Sequence, residues 1–155
     1  MKKLGLRPRR TVRVVLFTNE ENGGRGGLAY RDAHRHELAR HVMMLESDTG
    51  VFRPTGFGFS GTRARARDCQ GHRLAARADR GQSDRVGGRR GRYRAQRTRA
   101  RDSQPSLEVE GEYFVIHHTP ADTVERIDPA HLAKCAAAVA VMTHVVADMP
   151  HRLGE

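Results

Sequence analysis

The chain has 155 residues, a formal charge of +10, a mean hydropathy of −0.68 and two cysteines. This length suits one ordinary domain and excludes a complete enzyme with an accessory domain. A net charge this positive would ordinarily suggest nucleic acid or an anionic surface as partner. Cys69 lies in an Arg-rich stretch and Cys135 in an Ala-rich helical pattern, so we expect no structural disulfide.

The first sixty residues predict a strand, a helix and a second strand. Residues 11–18, TVRVVLFT, are rich in β-branched and aromatic side chains, and a helical pattern follows the Gly-rich loop at about residues 28–39. A second apolar run at residues 41–45 precedes the Thr49–Gly50 turn. This order is typical of the βαβ unit of a parallel sheet. The basic N-terminus lacks the apolar core of a signal peptide, so we expect no export signal and no membrane span.

Residues 61–105 are unlike the rest of the chain. They contain fourteen Arg against four acidic residues, which accounts for the whole excess charge, and they lack Ile, Phe and Met. Such a segment cannot bury enough apolar surface to offset the entropy of ordering it. We therefore expect no packed structure there, and we divide the chain into 1–60, this Arg-rich segment at 61–105, and 106–155.

The C-terminal part predicts a strand and a long helix. Residues 107–117, LEVEGEYFVIH, are typical of a strand, or of two short strands broken at Gly111. Asp128 followed by Pro129 predicts a helix N-cap, and the helix should end near Asp148, before Pro150. The predicted buried stripe of this helix consists of Leu132, Ala136, Val139, Met142 or Thr143, and Val146.

Polar side chains follow each of the predicted strands. Glu20 and Glu21 follow the first, Asp48 follows the second, and His117 and His118 follow the last. Ligands gather at the carboxyl ends of strands in open α/β sheets, and carboxylates with imidazole are zinc ligands. On spacing alone, each is as readily a solvated loop residue, a turn cap or a surface histidine.

Three stretches resemble the zinc exopeptidases that include carboxypeptidase Q and bacterial co-catalytic zinc aminopeptidases: RRTVRVVLFTNEENGGRGGLAY, ESDTGVFRPTGFGF and EYFVIHHTPADTVERIDP. They match in order and context, over residues 1–60 and 106–155. The resemblance implies a three-layer α/β/α domain with a mixed sheet flanked by helices. It also implies a metallopeptidase that hydrolyses terminal peptide bonds with two zinc ions, a peptide as substrate, and a family that is commonly secreted or periplasmic. Homodimerisation and the compartment of this chain stay open.

The resemblance also implies a role for each residue of the site. Glu20 matches the general base, Glu21 a ligand of the first zinc, and Asp48 a ligand of the second. His118 matches the histidine that shares the first zinc with Glu21. His117 lies near a donor to the developing oxyanion, or it orients the end of the strand. Asp122 caps the turn after His118 or holds that imidazole from behind.

The chain departs from the family pattern in two places. The family has a His-x-Asp histidine and a bridging aspartate upstream, and neither has a counterpart here, so we expect a C-terminal fragment with an incomplete, inactive site. The Arg-rich segment replaces a helix and a strand. Arg, Ala and Gly have GC-rich codons, and we therefore interpret residues 61–105 as a frame-shifted translation.

Two other classes of function remain. The Arg-rich segment, with Tyr93 between Arg92 and Arg94, would bind nucleic-acid phosphates without sequence preference in a non-enzymatic basic protein. A charge run of this kind is usually only solvated, and a single aromatic residue offers little stacking. The third class is a gene product that never folds.

Overall fold

The computed structural model describes residues 2–45, 47, 51–60, 104–111 and 113–153. Most of the Arg-rich segment and Asp48 therefore lie outside the described residues, and so do the expectations made for them. Within the described part, helices pack on one small sheet, as in an α/β fold, and three layers are not seen there.

The sheet consists of two antiparallel strands, β1 (Arg53–Ser60) and β2 (Gln104–Glu110). Arg53 pairs with Glu110 at one end and Ser60 with Gln104 at the other, with an irregularity between Pro54 and Gly56. Strand β1 was not predicted from the sequence, and β2 starts three residues before the predicted residue 107. Phe57 and Leu107 lie opposite each other in the ladder, and both are buried.

The two strands predicted at residues 11–18 and 41–45 form no ladder within the described residues. A cleft of about 750 Å³ is lined by residues of both segments, among them Val12, Val14, Val42 and Met43. Val14 and Leu16 are 84% and 88% exposed. Neither segment is a β-strand in the part of the chain that the structure describes, so the predicted βαβ unit is wrong for that part.

Helix α1 spans Arg25–Ala33, so it starts and ends earlier than the predicted range of 28–39. After the backbone bond from the His34 N–H to the Tyr30 carbonyl, the chain turns and forms a short 3₁₀ helix at Leu38–Arg40. The turn places Glu37 beside Arg13, whose guanidinium donates to the Glu37 carboxylate and to the Tyr30 hydroxyl, each at 2.8 Å. These side-chain bonds fasten residues 11–18 to α1.

Residues 113–117 are not a strand, contrary to the sequence prediction. Strand β1 begins at Arg53, opposite Glu110, so the chain after Glu110 has no partner strand in β1. A Cβ on Gly111 would lie 2.5 Å from the Phe52 ring, so this position requires glycine at the end of the ladder. The following backbone satisfies its polar groups locally in a short helix, α2 (Tyr113–Ile116).

Helix α3 spans Pro129–Asp148, and its predicted boundaries are confirmed. The Asp128 carboxylate accepts hydrogen bonds from the backbone N–H groups of Ala130 (2.7 Å) and His131 (3.3 Å). These bonds lower the pKa of Asp128, because they stabilise its ionised form. The N-cap signal was readable in the sequence because it is local.

The face of α3 that packs on the sheet is rotated slightly from the predicted stripe. Met142 and Val146 are buried as predicted, but Cys135 is buried where Ala136 was expected, and Leu132 is 44% exposed. The Cys135 thiol donates to the Phe52 carbonyl at 3.0 Å, which fixes this rotation next to the start of β1. The core between sheet and helix consists of Phe57, Leu107, Cys135, Met142, Val146 and Leu153.

Helix α3 is long and apolar enough to cross a membrane, with a mean hydropathy of 1.5. Core helices of globular proteins meet the same criterion, and α3 contributes four buried residues to the interior. The expectation that this chain makes no membrane contact stays a prediction.

Replacing Asp128 by Ala removes the acceptor for two N–H groups at the start of α3. We expect Asp128→Ala to lower the thermal unfolding midpoint by roughly 2–8 °C, the shift typical of losing an N-cap in a domain of this size. Asp128→Asn retains a side-chain acceptor and should stay near the wild-type midpoint. Equal loss in both variants, measured by circular dichroism, would contradict the capping role.

The Arg13–Glu37 pair predicts a dependence of stability on pH. The hydrogen bond from Arg13 holds the pKa of Glu37 at about 2, below its ordinary value of 4.5. A carboxyl with a lowered folded-state pKa stabilises the fold above its unfolded pKa and loses that contribution as the pH falls from about 4.5 to 2. Wild type should therefore lose more stability than Glu37→Gln over this interval in urea titrations. Parallel curves for the two proteins would contradict it.

Candidate metal centre

Glu20 and Glu21 lie on a tight loop between residues 18 and 26. The loop is closed by backbone bonds from the Gly24 N–H to the Glu20 carbonyl (2.8 Å) and from the Gly26 N–H to the Thr18 carbonyl (2.9 Å). Asn19 adopts a left-handed backbone conformation with φ of 54°, which asparagine tolerates better than most residues. The chain thus reverses direction and carries both glutamates before α1 begins.

His117 and His118 lie on a second turn, directly after α2. The Thr119 hydroxyl donates to the Ile116 carbonyl at 2.7 Å and accepts from the Ala121 N–H at 3.2 Å. His118 itself has a positive φ of 59°. Such a conformation costs energy for a residue with a Cβ, and strain of this kind is concentrated at functional sites.

The two loops meet through Glu21 and His118, which are 97 residues apart in the sequence. The His118 Nε2 atom lies 3.3 Å from the Glu21 Oε1 atom. Both side chains are more than half exposed, at 58% and 59%, so an ion or a substrate has access to them. An imidazole nitrogen and a carboxylate oxygen therefore converge at the surface.

His117 joins this pair. Its ring stacks on the ring of His118, with centroids 3.8 Å apart. Glu21, His117 and His118 each offer one ligand atom, and these atoms all lie within 4.8 Å of one another. Two ligands bound to zinc at 2.0–2.2 Å in a tetrahedral arrangement lie about 3.3–3.6 Å apart. The Glu21–His118 separation already has that value, and the chemistry of the three donors fits zinc.

Aromatic side chains support His117 from its other side. The Tyr113 ring stacks on the His117 ring at 4.5 Å, and the Phe114 ring lies perpendicular to the His117 ring with centroids 6.1 Å apart. Neither Tyr113 nor Thr119 was predicted from the sequence to belong to the site. Side chains four residues apart contact each other in a helical turn. Because this segment was predicted to be a strand, the contact of Tyr113 with His117 was not expected.

The other predicted site residues are placed differently. Glu20 lies next to Glu21 on the same loop but outside the group of three donors. Asp48 is outside the described residues. The Asp122 backbone N–H bonds to the Thr119 carbonyl at 3.0 Å, and within the described part its side chain forms no hydrogen bond to His118. The Thr119 side chain makes the hydrogen bonds within the turn after His118, where Asp122 was the predicted cap.

The tight loop predicts a sensitive position at Gly26. A Cβ there would lie 2.6 Å from the Thr18 carbonyl oxygen and 2.7 Å from its nitrogen, and backbone atoms cannot move aside cheaply. We expect Gly26→Ala to destabilise the protein by roughly 1–3 kcal/mol and to weaken zinc binding by displacing Glu21. Calorimetric titration with zinc measures this.

A change on the exposed face of α1 provides the control for Gly26→Ala. Ala29→Gly weakens the helix by roughly 1 kcal/mol and leaves the loop intact. If the two variants lose the same zinc affinity, the effect belongs to the helix and not to the loop.

Comparison with known proteins adds to this geometry. The profile of peptidase family M28 matches residues 1–143. Carboxypeptidase Q from Pongo abelii is 35% identical over 154 residues, and human carboxypeptidase Q is 34% identical over the same length. Each match covers 99% of this chain and 32% of the relative. The matched span includes the Arg-rich segment, whose frame-shifted origin stays a hypothesis.

A solved structure supports the same relationship. The crystal structure of a peptidase M28 precursor from Shewanella amazonensis SB2B superposes with a TM-score of 0.67 at 28% identity, over 94% of this chain and 33% of that one. The chain therefore spans about a third of the length of the proteins it matches.

Proposed function

The chain belongs to peptidase family M28, and from this premise we propose that it contributes to a zinc-dependent exopeptidase site that hydrolyses terminal peptide bonds. The observation that carries the proposal is the 3.3 Å approach of His118 to Glu21 across 97 residues of sequence. Two separately built loops position one nitrogen and one oxygen donor at the surface, and both residues are those that the family pattern assigns to one zinc ion.

Each residue of the proposed site has a distinct chemical task. Glu21 and His118 would hold the first zinc, and Asp48 would contribute to a second. Bound zinc polarises a substrate carbonyl and lowers the pKa of water toward neutrality. The Glu20 carboxylate would take a proton from the attacking water and deliver it to the leaving amine. Glu20 lies beside Glu21 on the same loop and outside the donor group, so in this proposal the base and the metal ligand are separate carboxylates.

The peptide terminus that is attacked belongs to the proposal as well. The curated relatives are named carboxypeptidase Q, and this name favours a proposal in which the carboxyl-terminal residue of the substrate is removed. Bacterial aminopeptidases share the sequence motifs. An assay must therefore compare unblocked dipeptides with dipeptides blocked at the amino end and at the carboxyl end.

The chain by itself should turn over peptides no faster than background. Two zinc ions acting together need a ligand that bridges them, and in the family pattern this ligand is an upstream aspartate that has no counterpart among these residues. Three donors at one place would hold at most one ion. Activity therefore requires the remaining ligands of the family site.

A chimera tests the function directly. Residues 1–60 and 104–155, which keep both strands of the ladder, would replace the matching segments of a full-length carboxypeptidase Q, and the relative's own connection would join them. We expect chelator-sensitive hydrolysis of dipeptides by the chimera, and a loss of at least about 10²-fold in kcat on Glu20→Gln, since the base is removed while the metal ligands stay.

The matched control is Glu110→Gln at the end of β2, an exposed carboxylate 3.8 Å from Arg53 and outside the group of three donors. It should retain full turnover. A chimera that folds and hydrolyses peptides equally well with Gln at position 20, or in the presence of chelator, would overturn the proposed role of this chain.

A further inference from the structure

We propose that His117 is a third protein ligand of the ion held by Glu21 and His118, so that this chain carries a complete three-donor site for one zinc or a related transition-metal ion. The inference rests on the proposed function for the presence of metal. It differs from the family pattern, which assigns only Glu21 and His118 of these three residues to the ion.

The backbone conformation explains why both histidines are available. In a strand, consecutive side chains point to opposite faces, and only one of two adjacent histidines can face a given ion. Here the strand ends at Glu110, the chain forms α2, and His118 adopts a left-handed conformation. The two imidazoles consequently lie on the same side of the turn, 3.8 Å apart and 29° from parallel.

The distances are compatible with one ion. The His118–Glu21 pair is already at ligand separation, and the His117 nitrogen lies within 4.8 Å of both. Bringing it to about 3.5 Å requires a movement of roughly 1 Å, which a small rotation of an imidazole supplies. A fourth position is left for water or substrate, which is the arrangement of three-ligand catalytic zinc sites.

The surroundings hold His117 in this orientation. Its ring lies between the rings of Tyr113 and His118, at 4.5 Å and 3.8 Å, and the Phe114 ring is perpendicular to it at 6.1 Å. A ring confined in this way loses little further freedom on binding a metal, which favours affinity. Tyr113 therefore serves as a positioning residue for the ligand.

Zinc binding by the full 155-residue chain tests the inference without any measurement of activity. Calorimetry gives the affinity, and X-ray absorption at the zinc edge counts imidazoles on the ion. We expect two imidazoles in wild type and one in His117→Phe, with affinity reduced at least about tenfold, since even the loss of a residue behind a ligand costs 10- to 100-fold. Phenylalanine retains the stacking between Tyr113 and His118, and circular dichroism verifies the fold.

The controls separate this inference from the proposed function. His36→Phe removes an exposed imidazole from the turn after α1 and should change nothing. Glu21→Gln and His118→Phe should each weaken binding. If they do so while His117→Phe binds like wild type with an unchanged imidazole count, His117 is not a ligand and the proposed function stands. The inference is overturned if the wild-type chain binds no zinc, or if none of the substitutions at Glu21, His117 and His118 weakens zinc binding. If none of them weakens binding, Glu21 and His118 also fail as the ligand pair of the proposed peptidase site.

Discussion

The anchoring of the N-terminal segment to the C-terminal end of α3 brings the two halves of the site into one body. The Arg10 N–H donates to the Ala147 carbonyl, and its guanidinium donates to the carbonyls of Met149 (2.6 Å) and His151 (3.0 Å). Arg152 returns the connection by donating to the Ala39 and His41 carbonyls. The last carbonyls of a helix have no partner within it, and Arg10 satisfies two of those in α3 by donating to the Val146 and Ala147 carbonyls. The two arginines also fix residues 10–41, and with them the Glu21 loop, against the helix that packs on the sheet.

The structural features that could be predicted from the sequence are those decided by residues close together in the chain. The start and end of α3 follow from Asp128, Pro129 and Pro150, which act within a few residues, and the prediction was right. Strand β1 was missed because RPTGFGFS contains two glycines and a proline and looks like a turn; its pairing with β2 is decided by residues far along the chain. The strand predicted through residues 113–117 fails for the same reason, since periodicity cannot show that β1 ends opposite Glu110.

The site divides in a similar way. Glu21 and His118 were singled out by a family motif, and spacing alone would have left them as ordinary surface residues. His117 was noticed, but the resemblance placed it near a donor to the developing oxyanion, with orientation of the strand end as the alternative. Only the helical turn of α2 and the left-handed backbone of His118 place both rings together. The chemistry of the site therefore depends on where a β-ladder ends.

Because the position of the histidines depends on where the ladder ends, the Arg-rich segment should have little influence on the site. Strands β1 and β2 pair across the connection formed by residues 61–103, and β2 leads directly through Gly111 to the histidines. The entropy of closing a connection rises slowly with its length, by about 0.6 kcal/mol per doubling. A change in the length or sequence of this segment thus alters the free energy of sheet formation modestly. The register of Arg53 with Glu110 is held by the packing of Phe57 and Leu107 against α3, not by the connection. The position of His118 relative to Glu21 should therefore be insensitive to what occupies residues 61–103, and this separation allows an anomalous stretch to coexist with the motifs of the M28 family.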